Sequence, residues 1–277
     1  GSWNVVTHGM DYASRIDLWL GSHWGADELR ELRRLNPHVL ALTSINAVEP
    51  LRESPSEYFL KDIHGNRIEV WPGSYRLNLT KPEVAEFQAQ YAYEQLLKSD
   101  LMYDGLFIDN VFLTQAWLKQ DIFGKTVLID ADEDGVADDP SVLDAAWRAG
   151  VLHELRKIRT LLPYAILSGH AMDIHDPEVA AIFNATSIVF EAPCVIEGRK
   201  RFVELWEQYA SWQQAARSPR ATMVESAVPM QIGYGYGYLR LGVVPPATLE
   251  FACQYYPYTL PMSWATAITA MIVCTTS

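Results

Sequence analysis

The stretch Asp104-Gly-Leu-Phe-Ile-Asp-Asn110 decides the fold of this chain. An uncharged run stands between two acids, and such a run is typical of a short buried strand that ends at a polar residue. On both sides of it, β-rich runs alternate with amphipathic helical stretches over nearly the whole length. This alternation predicts an α/β fold, specifically a TIM-barrel-like (β/α)8 arrangement.

Seven principal strands are predicted. The first two candidates, Trp3–His8 and Arg15–Leu20, leave no room for a helix between them and count as one barrel strand plus an extra piece. The others are His38–Ile45, Tyr75–Leu79, Asp104–Asp109, Tyr164–Ser168, Ser187–Glu191 and Ala221–Glu225. Asp109 therefore ends the fourth predicted strand.

Three helices carry clear end signals. The first is stopped by Asn36-Pro37. The second begins with Thr80 as its cap, and Glu83 completes a capping box. The third is predicted from about Val142 to Leu162, where an apolar stripe has helical period.

The C-terminal part supplies no clear eighth strand. A helical stretch is predicted from about Pro246 to Val273, and Thr275-Thr-Ser277 follows it. The barrel is therefore expected to be incomplete at its eighth strand, either because the chain is truncated or because the barrel closes unconventionally. No linker-like break divides the chain, so one domain over residues 1–277 is expected, with an Asp-rich insertion at about 128–141.

The composition argues against several classes of protein. The 277 residues carry a net charge of −12 without a basic run, which argues against binding nucleic acid or an anionic membrane. No apolar stretch approaches the roughly 20 residues of a membrane span. Cys194, Cys253 and Cys274 form no metal-ligand pattern, and no organic cofactor is expected. Gly1-Ser2 is typical of a cloning remnant; if a leader was removed, a secreted or extracytoplasmic location is expected.

Aromatic residues are frequent, with nine Trp and fourteen Tyr. Flat rings of this kind stack on the apolar faces of sugars, although core packing accounts for most of them. The irregular, aromatic segment Pro50–Gly73 is longer than a routine connection, which predicts a functional loop. Trp71 within it is a candidate substrate contact.

Three carboxylates end predicted strands, at Asp109, Glu191 and Glu225. Barrel enzymes place their working residues at these carboxyl ends. Burying an ionised carboxylate is costly, so an acid directly after an apolar strand indicates a function. Glycosidic cleavage needs two carboxyl groups flanking the bond. Asp109 is the first candidate, and Glu191 and Glu225 compete for the second role. Candidate substrate contacts at or beside strand ends are Asn46, Asn78, Asn110, His170 and Glu225.

The run Asp130-Ala-Asp-Glu-Asp-Gly-Val-Ala-Asp-Asp139 sets oxygen ligands at alternate positions, with Gly at a sharp turn. Ca²⁺ loops use this arrangement, and it predicts a structural Ca²⁺. The predicted ligands are Asp130, Asp132, Asp134, Val136 and Asp138. Ser141 stands where an EF-hand has Glu, so the loop instead resembles those of dockerin and thrombospondin-type repeats. A metal-free acidic turn is the alternative.

The Asp-Gly-x-x-x-Asp-Asn strand, the Asp-rich loop, and the helix with Trp147 and Arg156 together resemble the hypothetical glycoside-hydrolase-like family 15. The resemblance covers residues 3–225. More distantly, the chain is similar to the endo-α-1,4-polygalactosaminidases of glycoside hydrolase family 114. Relatives of this kind usually end with an Asp-Gly-Tyr-Phe-like strand, and this chain departs from them at its C-terminal end.

The resemblance also implies a catalytic pair. In the polygalactosaminidases, an Asp ends strand four and a Glu ends strand six. By position, these correspond to Asp109 and Glu191, which disfavours Glu225 as the second carboxylate.

The leading functional hypothesis is a glycosidase that acts on a poly- or oligosaccharide through two strand-end carboxylates. A carbohydrate-binding barrel without catalytic activity is the alternative. A metal-dependent hydrolase built on His8, His23, His170 and His175 is disfavoured, because no His-x-His or His-Glu-x-x-His spacing occurs.

Overall fold

The structure is a computed structural model. It describes residues 9–22, 24–98, 100, 102–170, 176–191, 212, 214–232, 235–241 and 268–270, with the backbone alone at 21–22, 187–191 and from 221 onward. The chain divides into two compact units, Gly1–Asp173 and Ile174–Ser277. The expectation of a single domain stays a prediction. None of the described helices is long and apolar enough to cross a membrane.

The first unit alternates strands and helices, as an α/β protein does. Its elements in chain order are β1 (Leu18–Ser22), α1 (Ala26–Leu35), β2 (Leu40–Asn46), a 3₁₀ turn (Ser56–Tyr58), β3 (Lys61–Asp62), β4 (Glu69–Trp71), β5 (Ser74–Tyr75), α2 (Pro82–Leu97), β6 (Gly105–Asp109), β7 (Ile129–Asp130), α3 (Pro140–Leu161) and β8 (Ile166–His170). Strands β1, β2, β6 and β8 pair in that order, and each pair is parallel. The predicted strand ending at Asp109 and the predicted helix after the Asp-rich loop are confirmed.

The core of this unit lies between the parallel strands and their helices. Leu42, Ile45, Leu106, Ile108 and Leu167 of the strands are all fully buried or within 1% of it. The predicted apolar stripe of α3 is buried as well; its members are Trp147, Val151, Leu155 and Ile158. These side chains supply the apolar burial that holds the helix on the sheet.

One predicted strand is wrong as a barrel strand. Tyr75–Leu79 was expected to lie in the main sheet, but β2 pairs directly with β6, and β5 pairs antiparallel with β4 in a separate hairpin. Leu77 and Leu79 are fully buried, and this burial produces the alternating pattern. The chain there packs close to α3: a Cβ at Gly150 would lie 1.7 Å from the Leu79 carbonyl oxygen, so only glycine fits.

Two smaller expectations also need correction. The cap of α2 is Lys81 rather than Thr80, and it makes no side-chain capping bond. A helical turn spans residues 9–13, between the first two strand candidates. The candidate Trp3–His8 lies outside the described residues. Asp109 ends the third strand of the parallel sheet when the count starts at β1, and its predicted place as the fourth barrel strand depends on the segment 3–8.

The second unit contains α4 (Pro177–Ala180), β9 (Ala185–Glu191), β10 (Ala221–Ile232), β11 (Gly235–Leu241) and β12 (Ile268–Ala270). Strands β9 and β10 are parallel, β10 and β11 form an antiparallel pair, and β12 runs parallel to β11. The helix predicted over Pro246–Val273 is therefore wrong at β12, and its other residues lie outside the described part. A regular barrel has only parallel pairs. The antiparallel pair departs from that pattern, and β11 and β12 are strands that were not predicted from the sequence.

Candidate active site

Three predicted site residues meet at the carboxyl edge of the first sheet. Asn46 of β2 lies opposite Asp109 of β6 in the parallel register. One strand further on, His170 ends β8, where its backbone carbonyl accepts from Val111 N at 3.1 Å. Because parallel strands share one carboxyl edge, the sheet itself brings these side chains together.

Asp109 and His170 form a direct pair. His170 Nδ1 lies 2.5 Å from Asp109 Oδ1, and the same oxygen accepts from the backbone N–H of Asn110 at 2.9 Å. When the Asp109 carboxylate is ionised it can only accept, so in that state His170 Nδ1 is the donor of this bond. The side chain of Asp109 is 38% exposed and that of His170 is 20% exposed, so both are partly accessible to solvent.

The sequence did not predict this pairing. The strand predicted over Tyr164–Ser168 ends two residues too early, whereas β8 continues to His170. Phe107 packs against the imidazole, with 5.8 Å between the ring centroids and 33° between the planes. The sequence shows His170 as a polar residue after an apolar run, which marks a strand end. Its partner Asp109 can be identified only from the order of the strands in the sheet.

The two neighbouring asparagines have different positions. Asn110 has φ +58°, in the left-handed region that Asn tolerates better than most residues, and it begins the loop after β6. Asn46 Oδ1 accepts from the backbone N–H groups of Val48 and Glu49, at 3.0 Å each. Asn46 thus fixes the turn after β2.

Asn78 does not lie at the exposed edge. It is 1% exposed, its Nδ2 donates to the Ala131 carbonyl at 2.7 Å, and its Oδ1 accepts from Thr80 Oγ1 at 2.6 Å. Its amide therefore fastens the Asp-rich loop to the chain before α2. Direct substrate contact, as predicted for Asn78, is incompatible with this burial.

A buried ionic group lies beside the edge and was missed by sequence reasoning. Arg76 is 3% exposed, and its Nη1 lies 3.2 Å from Glu49 Oε1, while Glu49 Oε2 accepts from Ser74 Oγ at 2.9 Å. Burial lowers the pKa of Arg76 to about 10, and the Glu49 charge opposes that shift. The guanidinium faces the Phe112 ring at 5.7 Å. No local pattern marks Arg76, because its partner is 27 residues away.

Two aromatic side chains are exposed in the connections that follow the parallel strands β2 and β6. Trp71, predicted as a substrate contact, is 53% exposed in the β4–β5 hairpin. Trp117 is half exposed and packs edge-on against Phe112, with 5.4 Å between ring centroids. Trp147 Nε1 in turn donates to the Phe112 carbonyl at 2.9 Å, which fixes the loop after β6 to helix α3.

The two glutamates of the second unit differ in their strand positions. Glu191 is the last residue of β9, as predicted, and lies opposite Ala227. Glu225 was predicted to end its strand, but β10 continues to Ile232, and Glu225 lies opposite Val189 instead. Glu225 is therefore inside its strand, two residues before the level of Glu191. Their side chains lie outside the described part of the chain.

The Asp-rich loop brings its first three predicted ligands together. One carboxylate oxygen from each of Asp130, Asp132 and Asp134 lies within 4.8 Å of the others, so this trio can bind a metal ion. Asp138 Oδ2 accepts from Ala131 N at 2.7 Å. Burial first, and then repulsion from the trio, raises the pKa of Asp138.

Comparison with known proteins adds to this geometry. Residues 43–188, more than half of the chain, match the family described as hypothetical glycosyl hydrolase family 15. A search of curated protein sequences gives no match.

Several solved structures are similar at low identity. The glycoside hydrolase domain of PelA from Pseudomonas aeruginosa is 11% identical, with 86% of this chain and 81% of that one covered and a TM-score of 0.48. TtGalA, an α-galactosidase from Thermus thermophilus, is 12% identical, with 90% and 51% covered and a TM-score of 0.47. An α-amylase from Geobacillus thermoleovorans is 13% identical, with 66% and 44% covered and a TM-score of 0.35.

The parallel strands, their helices and the polar carboxyl edge define an α/β protein of TIM-barrel-like, glycoside-hydrolase type, as predicted. Because the structural likenesses have such low identities and TM-scores, the assignment rests on the family match. The chain belongs to hypothetical glycosyl hydrolase family 15.

Proposed function

We propose that this protein hydrolyses glycosidic bonds in a poly- or oligosaccharide. The observation that carries the proposal is Asp109, a solvent-accessible carboxylate at the carboxyl end of a buried strand in a member of a glycosyl hydrolase family. The net charge of −12 favours a neutral or amino-sugar polymer over an anionic one.

The proposed pair is Asp109 and Glu191. Glu191 donates a proton to the leaving glycosidic oxygen, while Asp109 takes one of two roles. As a base, it takes a proton from the water that attacks the anomeric carbon. As a nucleophile, it forms an ester bond to the anomeric carbon, and water then breaks that bond and gives its proton to Glu191. The glycosidic C–O bond breaks, water supplies the new C–O bond, and a new reducing end is released. The position of Glu191 at the end of β9, against the interior position of Glu225, supports this choice.

Substrate contacts are proposed for the residues that surround Asp109 at the exposed edge. Asn110 is adjacent to its carboxylate, and Asn46 lies opposite in the register. For His170, whose Nδ1 is bonded to Asp109, a sugar contact through Nε2 is the alternative to a role that acts through Asp109. Trp71 offers a half-exposed ring on which a sugar face can stack. Glu225 remains the alternative second carboxylate.

The test is reducing-end release from a panel of neutral and amino-sugar polysaccharides. Asp109→Asn and Glu191→Gln should each abolish release while the far-UV spectrum and Tm stay close to wild type. Activity that survives Glu191→Gln but not Glu225→Gln would show that the proposed pair is wrong. Retention of a polysaccharide by a wild type that releases nothing would instead identify the inactive binding barrel.

We further propose that the Asp-rich loop binds Ca²⁺ in a structural role. The trio and Asp138 offer hard carboxylate oxygens, and the Val136 carbonyl would complete a set of the kind Ca²⁺ prefers. Burial is the first cause of the raised pKa of Asp138, and repulsion from the trio is a further cause that a bound cation would relieve.

Calcium should raise Tm. Chelation should lower Tm without directly abolishing the hydrolysis of the polysaccharide. At a hundredfold excess over the dissociation constant, the gain is about 2.7 kcal/mol. Asp132→Asn should remove the Ca²⁺-dependent gain. Glu133→Gln is the matched control, since Glu133 bonds Lys61 and Lys81 at 2.5 and 2.7 Å, and its variant should keep the gain. An equal Tm with Ca²⁺ and with chelator would contradict the proposal.

A further inference from the structure

The contact between His170 and Asp109 suggests a role for His170 beyond touching substrate. The imidazole is in contact on two sides, because its Nδ1 bonds the carboxylate and its ring packs at a tilt against Phe107. The backbone adds a third tie, since Val111 N donates to the His170 carbonyl at 3.1 Å. The ring therefore has little freedom to leave Asp109.

Two donors converge on one oxygen of Asp109. His170 Nδ1 and the backbone N–H of Asn110 both reach Oδ1, at 2.5 and 2.9 Å. Two bonds from different directions to the same oxygen fix the torsion of the carboxylate, so its plane and its second oxygen take one orientation. Rotational freedom of a reacting group is expensive in a transition state, and a displacement of about 1 Å can cost roughly 10²-fold in rate.

We propose that His170 is the positioning residue of Asp109: its Nδ1–H holds Oδ1 so that the carboxylate enters the reaction already oriented. This role rests on the proposed glycosidase function, since it acts through Asp109. It is distinct from substrate binding, in which Nε2 would contact a sugar hydroxyl and loss of the ring would weaken affinity.

Two substitutions distinguish the contribution of the imidazole ring from that of its Nδ1 donor. His170→Phe keeps a ring of similar size against Phe107 but has no donor. His170→Asn loses the ring but places an amide N–H where Nδ1 lies. A third, His170→Gln, places its amide near the former Nε2 and serves as the matched control for His170→Asn.

The kinetic measurement uses the panel polysaccharide that wild type hydrolyses fastest. His170→Phe should lower kcat about 10²-fold with KM within about twofold of wild type, because a transition-state orientation is lost and ground-state binding is kept. His170→Asn should recover most of kcat, and His170→Gln should not. A rise in KM with unchanged kcat, or equal rates for Asn and Gln, would overturn the positioning role.

A second measurement does not depend on activity. In the NMR spectrum of wild-type protein with ¹⁵N-labelled histidine, the His170 Nδ1 proton should appear downfield and exchange slowly, and Asp109→Ala should abolish that signal. A wild-type spectrum without the bonded proton would overturn the proposed positioning. A visible proton in a protein that releases sugar from no substrate would overturn the glycosidase function instead, so the two failures can be told apart.

Discussion

Asp104 precedes the five-residue strand β6 and Asp109 ends it, and the two acids have opposite surroundings. At the amino end, Asp104 Oδ2 accepts from Arg33 Nη2 at 3.0 Å and from the backbone N–H of Ala41 at 2.8 Å. At the carboxyl end, Asp109 pairs with His170 and is the more exposed of the two acids, 38% against 22%. One acid is locked to an always-charged arginine, and the other to a histidine.

This difference separates stability from chemistry along one strand. Asp104 accepts from Arg33 of α1 and from the backbone of Ala41 in β2, so this acid joins α1, β2 and β6. A histidine partner leaves the acid at an accessible edge where substrate can approach. In barrel proteins the amino ends of the strands serve stability and the carboxyl ends serve function, and the two acids of one motif follow that division.

Alanine substitutions of the two acids should have the largest and most different effects. Asp109→Ala should reduce sugar release by at least about 10³-fold, as expected when one member of a catalytic pair is removed. Asp104→Ala should keep kcat but lower the free energy of unfolding by about 2 kcal/mol, because Arg33 and Ala41 N lose a charged acceptor. Denaturant titration measures the free energy of unfolding, and initial rates measure sugar release. If Asp104→Ala lost activity and Asp109→Ala lost only stability, the roles assigned to the two ends of the strand would be reversed.

The amino end should also be the less tolerant of added volume. A Cβ at Gly105 would lie 1.8 Å from the backbone carbonyl oxygen of Ile166, so β6 and β8 would have to move apart. Gly105→Ala should therefore cost about 3 kcal/mol, which corresponds to a Tm drop of roughly 6–12 °C. Gly25→Ala is the matched control, since the nearest atom there, Glu28 Oε2, lies 3.9 Å away and little should change.

Glu154 is a third acid, and it differs from Asp104 and Asp109 because neither of its carboxylate oxygens has a hydrogen-bond partner among the described residues. Glu154 of α3 is fully buried, and burial raises its pKa well above the ordinary value. The folded protein therefore keeps the proton while the unfolded chain releases it, so stability falls as pH rises above about 4.5. Glu154→Met should gain about 1 kcal/mol at acid pH, and the gain should grow towards neutral pH.

Glu154→Gln provides the control for this titration. The amide keeps the polar atoms but cannot ionise, so the Tm of this variant should lack the wild-type decline between acid and neutral pH. Parallel pH profiles for Glu and Gln would show that the Glu154 side chain finds a charged or hydrated partner in solution.

Local patterns were enough for the elements that carry the site. The buried run before Asp109 predicted β6 within one residue at its start, and the stripe around Trp147 predicted α3 within two. The same reasoning failed at Leu77 and Leu79, because burial beneath neighbouring chain and burial in a sheet produce the same alternation. Periodicity reports that a residue is buried, and the covering element is set by tertiary contacts.

The pairings within the site could not be predicted in the same way. His170 is 61 residues from Asp109, and Arg76 is 27 from Glu49. Such contacts depend on strand order and on the path of the loops, which no single stretch of sequence encodes. Glu225 shows the related difficulty of strand ends, since its strand continues for seven more residues to Ile232.

The bond between Asn78 and the Asp-rich loop has a consequence for the dynamics of the first unit. Strands β3 and β7 pair antiparallel, Ile63 N donates to the Leu128 carbonyl at 3.0 Å, and Asn78 Nδ2 donates to the Ala131 carbonyl. Segments 61–78 and 128–131, separated by a helix and a barrel strand, thus share their hydrogen bonds. Their amide protons should exchange with solvent in a single cooperative opening, so the hairpin that carries Trp71 loses its order when the acidic loop does.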